Sequence, residues 1–94
     1  MKISAAFPPT PETPEHIELA EQLGYETAWV YDTPALQLDV WMILALAATR
    51  TKKIKLGPGV LIPSLRHPMV TASAIATLVS LVGQDRVVVG AGTG

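Results

Sequence analysis

Four short apolar runs, separated by three longer helical stretches, constrain this chain more than any other feature. The runs are Lys2 to Phe7, Thr27 to Tyr31, Ile54 to Val60 and Arg86 to Val89. They are continuous rather than alternating, the pattern of strands buried on both faces, and such strands belong to parallel sheets covered by helices. Pro8 and Pro9 stop the first run because proline has no amide to donate to a ladder. The order strand, helix, strand, helix, strand, helix, strand predicts one α/β domain over residues 1–94, with a parallel sheet and right-handed crossovers.

The helix boundaries carry their own chemistry. Thr13-Pro14-Glu15 is a start signal, with a hydroxyl to cap, proline at the first position and an acid near the positive end. Ile17, Leu19, Ala20 and Leu23 form the expected apolar face, Glu18, Glu21 and Gln22 the wet one, and Gly24 the left-handed stop. Asp39 caps a second helix, Val40 to about Thr49, that is apolar on nearly every face and so should be buried on more than one side. Pro68 opens a third, reaching about Val82, whose stripe is Val70, Ala74, Leu78 and Leu81, widened by Ala72, Ile75, Ala76 and Val79.

Composition bounds the partners. Hydrophobic residues make up 49% and charged residues 16%, against about 25% charged in ordinary soluble domains. Mean hydropathy is +0.35. A chain this apolar should cover surface against something else, such as a second copy or a missing second half. The net charge of −1 gives no reason to expect nucleic acid. Seven acids against Lys2 fall in residues 1–49, and six bases against Asp85 in residues 50–94, a polarity that favours head-to-tail meeting of two copies. With no cysteine, disulfides and thiolate metal sites are excluded, and the isolated His16 and His67 predict no metal site. Met1-Lys2-Ile3-Ser4 lacks the apolar core of a signal peptide, and the greasiest run, Val40 to Ala48, is too short to span a bilayer. A cytoplasmic protein is expected.

Ligands of parallel α/β folds gather at the carboxyl ends of the strands. Those ends are Phe7-Pro8, Tyr31-Asp32, Gly59-Val60 and Gly90-Ala91-Gly92. In Lys55-Leu56-Gly57-Pro58-Gly59-Val60 the glycines allow a ligand-facing bulge or close an ordinary turn. Asp32, the one carboxylate at a strand end, reads as a group bonding a ligand, as a general base, or as a loop cap before Pro34. Arg66 and His67 precede a helix start, where they either hold an anion or, respectively, pair with an acid and cap the helix. Trp29, Tyr31 and Trp41 are spaced as core residues. Gly90-x-Gly92-x-Gly94 is only part of a dinucleotide fingerprint, which needs a following helix and a later acid.

Several ordered motifs together resemble the luciferase-like monooxygenase superfamily, the flavin- or F420-dependent barrel oxidoreductases. They are Ala20-Glu21-Gln22-Leu23-Gly24-Tyr25 leading into Ala28-Trp29-Val30-Tyr31-Asp32, then Asp39-Val40-Trp41 and Leu46-Ala47-Ala48-Thr49-Arg50-Thr51. Leu56-Gly57-Pro58-Gly59-Val60, Arg66-His67-Pro68 with Ala72 to Leu78, and Val89 to Gly94 complete the set. The resemblance implies a parallel half-barrel matching the first four strands of a TIM barrel. It implies coenzyme F420, with FMN as the alternative, lying against the strand-three bulge, and a small organic substrate. It assigns Gly57, Gly59 and Val60 to support of the ring, Gly90 and Gly92 to the room beside it, and Asp32 to a bond with ring or substrate. It also implies a cis peptide between Gly59 and Val60. Thr33 departs from the histidine that sugar-phosphate dehydrogenase members carry beside the acid, so their chemistry does not transfer.

The leading expectation is thus the amino-terminal half of an oxidoreductase. A different class of answer is a catalytically inactive half-barrel that self-associates through its open sheet edges. A truncated nucleotide-binding sheet would instead require an open strand order and NAD binding.

Overall fold

The computed structural model describes residues 2–93. Met1, which opens the amino-terminal reading, and Gly94, which closes the glycine-rich motif, lie outside them. Strands β1 (Ser4–Phe7), β2 (Thr27–Val30), β3 (Lys55–Leu61) and β4 (Gly90–Ala91) alternate with helices α1 (Thr13–Gln22), α2 (Val40–Ala48) and α3 (Pro68–Val82). One-turn 3-10 helices at Pro63–Leu65 and Gln84–Arg86 flank α3. The sheet order is β1-β2-β3-β4 and every pairing is parallel. Sequential parallel neighbours joined by helices follow the strand order found in (β/α) barrels.

The core lies between sheet and helices. Ala28, Val30 and Leu56 from the strands meet Ile17 and Ala20 of α1, and Val40, Leu44 and Ala47 of α2. On α1 the i, i+3 spacing buries Ile17 and Ala20, while Leu19 and Leu23, expected inside, are 53% and 68% exposed. The same period turns Glu21 away from bulk water. Its Oε2 accepts the amides of Lys52, Lys53 and Ile54 at 2.8, 2.6 and 3.0 Å, pinning α1 to the turn before β3. Burial opposes that charge, but the Ile54, Lys53 and Lys52 amides and the positive Arg86 outweigh it, so the carboxyl titrates below its ordinary range. Thr13 does not cap α1. Its hydroxyl bonds the Pro8 carbonyl and receives the Thr10 amide, so it ties the loop to β1, and the cap position falls to Glu12.

Gly24, at φ +91°, ends α1 as expected. Asp39 caps α2 by accepting the Met42 amide at 2.9 Å. The expected α3 stripe is largely bare: Leu78 is buried, but Val70 and Leu81 are about half exposed. Beneath α3 the sheet is narrow, because β4 spans only two residues. The strand expected at Arg86 to Val89 is displaced toward the carboxyl end. Arg86 donates to the Ile54 carbonyl and the Thr51 hydroxyl, and the 3-10 turn it closes leaves one bridge, Val87 to Leu56, before β4 begins.

Candidate functional site

Strand β3 carries the irregularity that shapes the site. Its pairing with β4 shifts register between Gly59 and Leu61, so Val60 stands in a bulge, 47% exposed. The Gly59–Val60 peptide is cis, as the resemblance implies. Tyr31, Asp32 and Thr33 from the end of β2, with Gly59, Val60 and Ile62 from β3 and its exit, line an open cleft of about 310 Å³ at the carboxyl end of the sheet.

The glycines serve different neighbours. A methyl group on Gly57 would fall 1.5 Å from the Val88 carbonyl oxygen, so this glycine admits the chain entering β4. On Gly59 it would meet Cε3 of Trp29 at 2.8 Å, and on Gly92 the Cγ1 of Val60 at 2.7 Å. Gly90 has ordinary clearance, 3.6 Å from Trp29 Cζ3. Trp29 therefore backs the bulge from inside, and Gly92 leaves room for the Val60 side chain. Of the glycines expected at the ligand, only Gly59 lines the cleft; Gly57 faces Val88, Gly90 faces Trp29 and Gly92 faces Val60.

Asp32 is buried, and both its oxygens are committed. Oδ2 accepts Arg66 Nη1 at 2.7 Å and the Ile62 amide at 3.0 Å, while Oδ1 accepts Arg66 Nη2 at 2.7 Å. The Asp32 and Arg66 side chains are 1% and 13% exposed, so the pair is shielded from water. Hydrogen bonding to Arg66 outweighs burial and, with the Ile62 amide and the Arg66 charge, holds the Asp32 carboxyl below the usual carboxylate range. The same bond holds Arg66 above its ordinary value. Of the two readings of Arg66 and His67, the structure takes pairing and capping: Arg66 grips Asp32, and His67 Nδ1 accepts the Met69 amide at 3.1 Å.

Sequence reasoning missed two contributors. Tyr31, expected in the core, is 39% exposed on the cleft, because it lies one step beyond the last paired residue of β2. Ile62 binds Asp32 through its backbone, which no side-chain pattern records. Among the described residues no group of three or more His, Cys, Asp and Glu could hold a metal ion, and no helix is long and apolar enough to cross a membrane.

A family model described as luciferase-like monooxygenase matches residues 2–94. The chain belongs to the luciferase-like monooxygenase family. Its similarity to the 5,10-methylenetetrahydromethanopterin reductase of Methanopyrus kandleri is 46% identity over 78 residues, covering 83% of this chain and 22% of that protein. The solved structure of the coenzyme F420 dependent tetrahydromethanopterin reductase from Methanopyrus kandleri superposes with a TM-score of 0.88 at 38% identity, over 99% of this chain and 27% of that one. The oxygenating constituent of 3,6-diketocamphane monooxygenase from Pseudomonas putida, solved with FMN, shares the fold at TM-score 0.86 and 20% identity, covering all of this chain and 30% of that one. This luciferase-like chain spans about a quarter of the length of the curated relatives it matches.

Proposed function

We propose that the chain forms the first four strand–helix steps of an F420-dependent oxidoreductase barrel, with FMN as the alternative cofactor. The deazaflavin or flavin ring would lie in the cleft beside Gly59 and Val60. The observation that carries this reading is the position of that cleft, at the ligand-bearing end of a sheet that superposes on an F420-dependent reductase over 99% of the chain.

The residues present fit the ring portion. The cleft volume is at the low end of small-molecule sites, roughly 300–1,000 Å³. Its exposed apolar wall is Val60, and its one acid is already neutralised by Arg66. No cation is among its lining residues, so they fit a ring and not a phosphate tail. When bound, such a cofactor supplies the hydride or electron chemistry, and the protein supplies position and electrostatics. Gly59 and Val60 meet the ring, Gly57, Gly90 and Gly92 keep the neighbouring strand close, and Tyr31 and Ile62 exclude water from its edge. The carboxylate of Asp32, committed on both oxygens, fits a role in ordering this wall and not in accepting a proton.

Titration of oxidised F420, and separately FMN, into the purified chain tests the reading through quenching of tryptophan fluorescence. Saturable quenching is expected, tighter for F420, and Val60→Asp should weaken it at least about tenfold. No saturable change with either cofactor overturns the proposal.

A second reading, a catalytically inactive half-barrel that pairs with another copy, has its own support. Strands β1 and β4 are the sheet edges, and Leu23, Met42 and Met69 are at least 68% exposed.

A further inference from the structure

We propose that Arg66 is a positioning residue for the cofactor wall, acting through Asp32 to fix the run from Gly59 to Ile62 at the mouth of the cleft. The inference rests on the function proposed above and concerns a residue that does not itself line the cleft. Asp32 lies two residues beyond the end of β2, Ile62 follows β3 directly, and Arg66 lies two residues before α3. A single carboxylate therefore joins the exits of two neighbouring strands and the approach to a helix. Asp39, the N-cap of α2, adds a second acid 3.9 Å from Arg66 Nη2, so a fourth element begins beside the same guanidinium.

Geometry explains why this arrangement orders the wall. Val60 stands in a bulge, without the ladder neighbours that fix an ordinary strand residue. Behind it Gly59 is backed by Trp29, and one residue beyond it Gly92 donates its amide to the Leu61 carbonyl at 3.0 Å. The next fixed point along the chain is the Ile62 amide on Asp32. That carboxylate is in turn oriented by two parallel bonds from a planar fork, a geometry an ammonium does not reproduce. Without the fork, Asp32 is free to turn about its side-chain bonds and the Ile62 amide loses a fixed acceptor.

Two variants keep the test independent of simple unfolding. Arg66→Lys retains the charge and removes the fork, and the double variant Asp32→Asn with Arg66→Gln leaves no buried charge unpaired. Each is measured by thermal melt, by hydrogen exchange at the Ile62 amide, and by titration with oxidised F420. In both, a cooperative melt is expected, with Ile62 exchanging faster and F420 dissociating at least about tenfold more readily. A lowered melt with parental F420 affinity in the folded fraction assigns Arg66 to stability alone and overturns the proposal. If the parent chain binds neither F420 nor FMN, the proposed function fails, and the Ile62 amide decides the clamp by itself. Faster exchange in Arg66→Lys then upholds the clamp, and unchanged exchange overturns it.

Discussion

The glycines around β3 and β4 answer to different neighbours, and the cost of a methyl group at each follows from what it would meet. At Gly57 the obstacle is a backbone carbonyl that moves only if the chain entering β4 moves, so Gly57→Ala should cost about 3 kcal/mol or more. At Gly59 the obstacle is the Trp29 side chain, its Cε3 at 2.8 Å and its Cβ at 3.1 Å, and about 1–3 kcal/mol is expected. Gly92→Ala presses on the exposed Val60 side chain and should cost less, while Gly90→Ala meets ordinary contact and should be near neutral. Urea midpoints check the order, and a Gly57→Ala protein as stable as Gly90→Ala would contradict it. Glu21 makes a second prediction at this scale. Its folded-state pKa is depressed, so its contribution is present above the unfolded value, about 4.3, and is lost as pH falls through the lower folded value. Glu21→Gln should therefore be about 1–3 kcal/mol less stable than the parent at neutral pH. The gap should close on acidification, and parallel stability–pH curves would show that Glu21 carries no such charge-dependent bond.

Among the elements, α2 shows how far local sequence reaches. Its cap is one side chain on one amide, Asp39 on Met42, and Asp39→Ala should cost about 1 kcal/mol. Asn caps as well as Asp, whereas it cannot serve as the second acid near Arg66, a contact that is 42% exposed on the Asp39 side and so contributes little. Thermal melts of Asp39→Asn should then stay close to the parent, and a loss equal to that of Asp39→Ala would move the role from cap to charge. The same locality separates what the chain disclosed in advance from what it did not. Strands β1 to β3 were legible because their apolar runs coincide with their pairing, and α1 to α3 because Gly24, Asp39 and Pro68 mark ends by purely local chemistry. β4 was not, because Arg86 is drawn into bonds with Thr51 and Ile54, more than thirty residues away, and pairing resumes only at Gly90. The candidate site divides in the same way. The bulge was visible in Gly57-Pro58-Gly59, but the bond from Asp32 to Arg66 spans 34 residues. No pattern in the sequence says whether a glycine makes room for a ligand or for Val88.

For the whole molecule, the division into an acidic first half and a basic second half resolves within one chain. Arg50 meets Glu18 at 3.0 Å and Arg66 meets Asp32 at 2.7 Å, each joining one half to the other, so charge polarity supplies little drive for two copies to meet. What the molecule offers a second copy is the sheet edge and the apolar surface. β1 pairs with β2 on one side only, and beside it Ala5, Phe7, Leu19, Leu23 and Tyr25 line an open apolar hollow. A strand edge flanked by such a surface is a template for pairing with another chain. The chain alone should therefore sediment faster as its concentration rises, and added salt should not reverse this, since screening weakens surface ion pairs and leaves apolar contact intact. Ala6→Lys tests the edge directly. Ala6 is exposed on β1, so a lysine there disturbs little of the core while placing a charge where a second strand would dock. The variant should remain monomeric where the parent associates. A parent that stays monomeric across the whole range would exclude pairing through this edge, and an associating Ala6→Lys protein would move the contact to the β4 edge or to the exposed apolar side of α2 and α3, where Met42 and Met69 stand clear of the core.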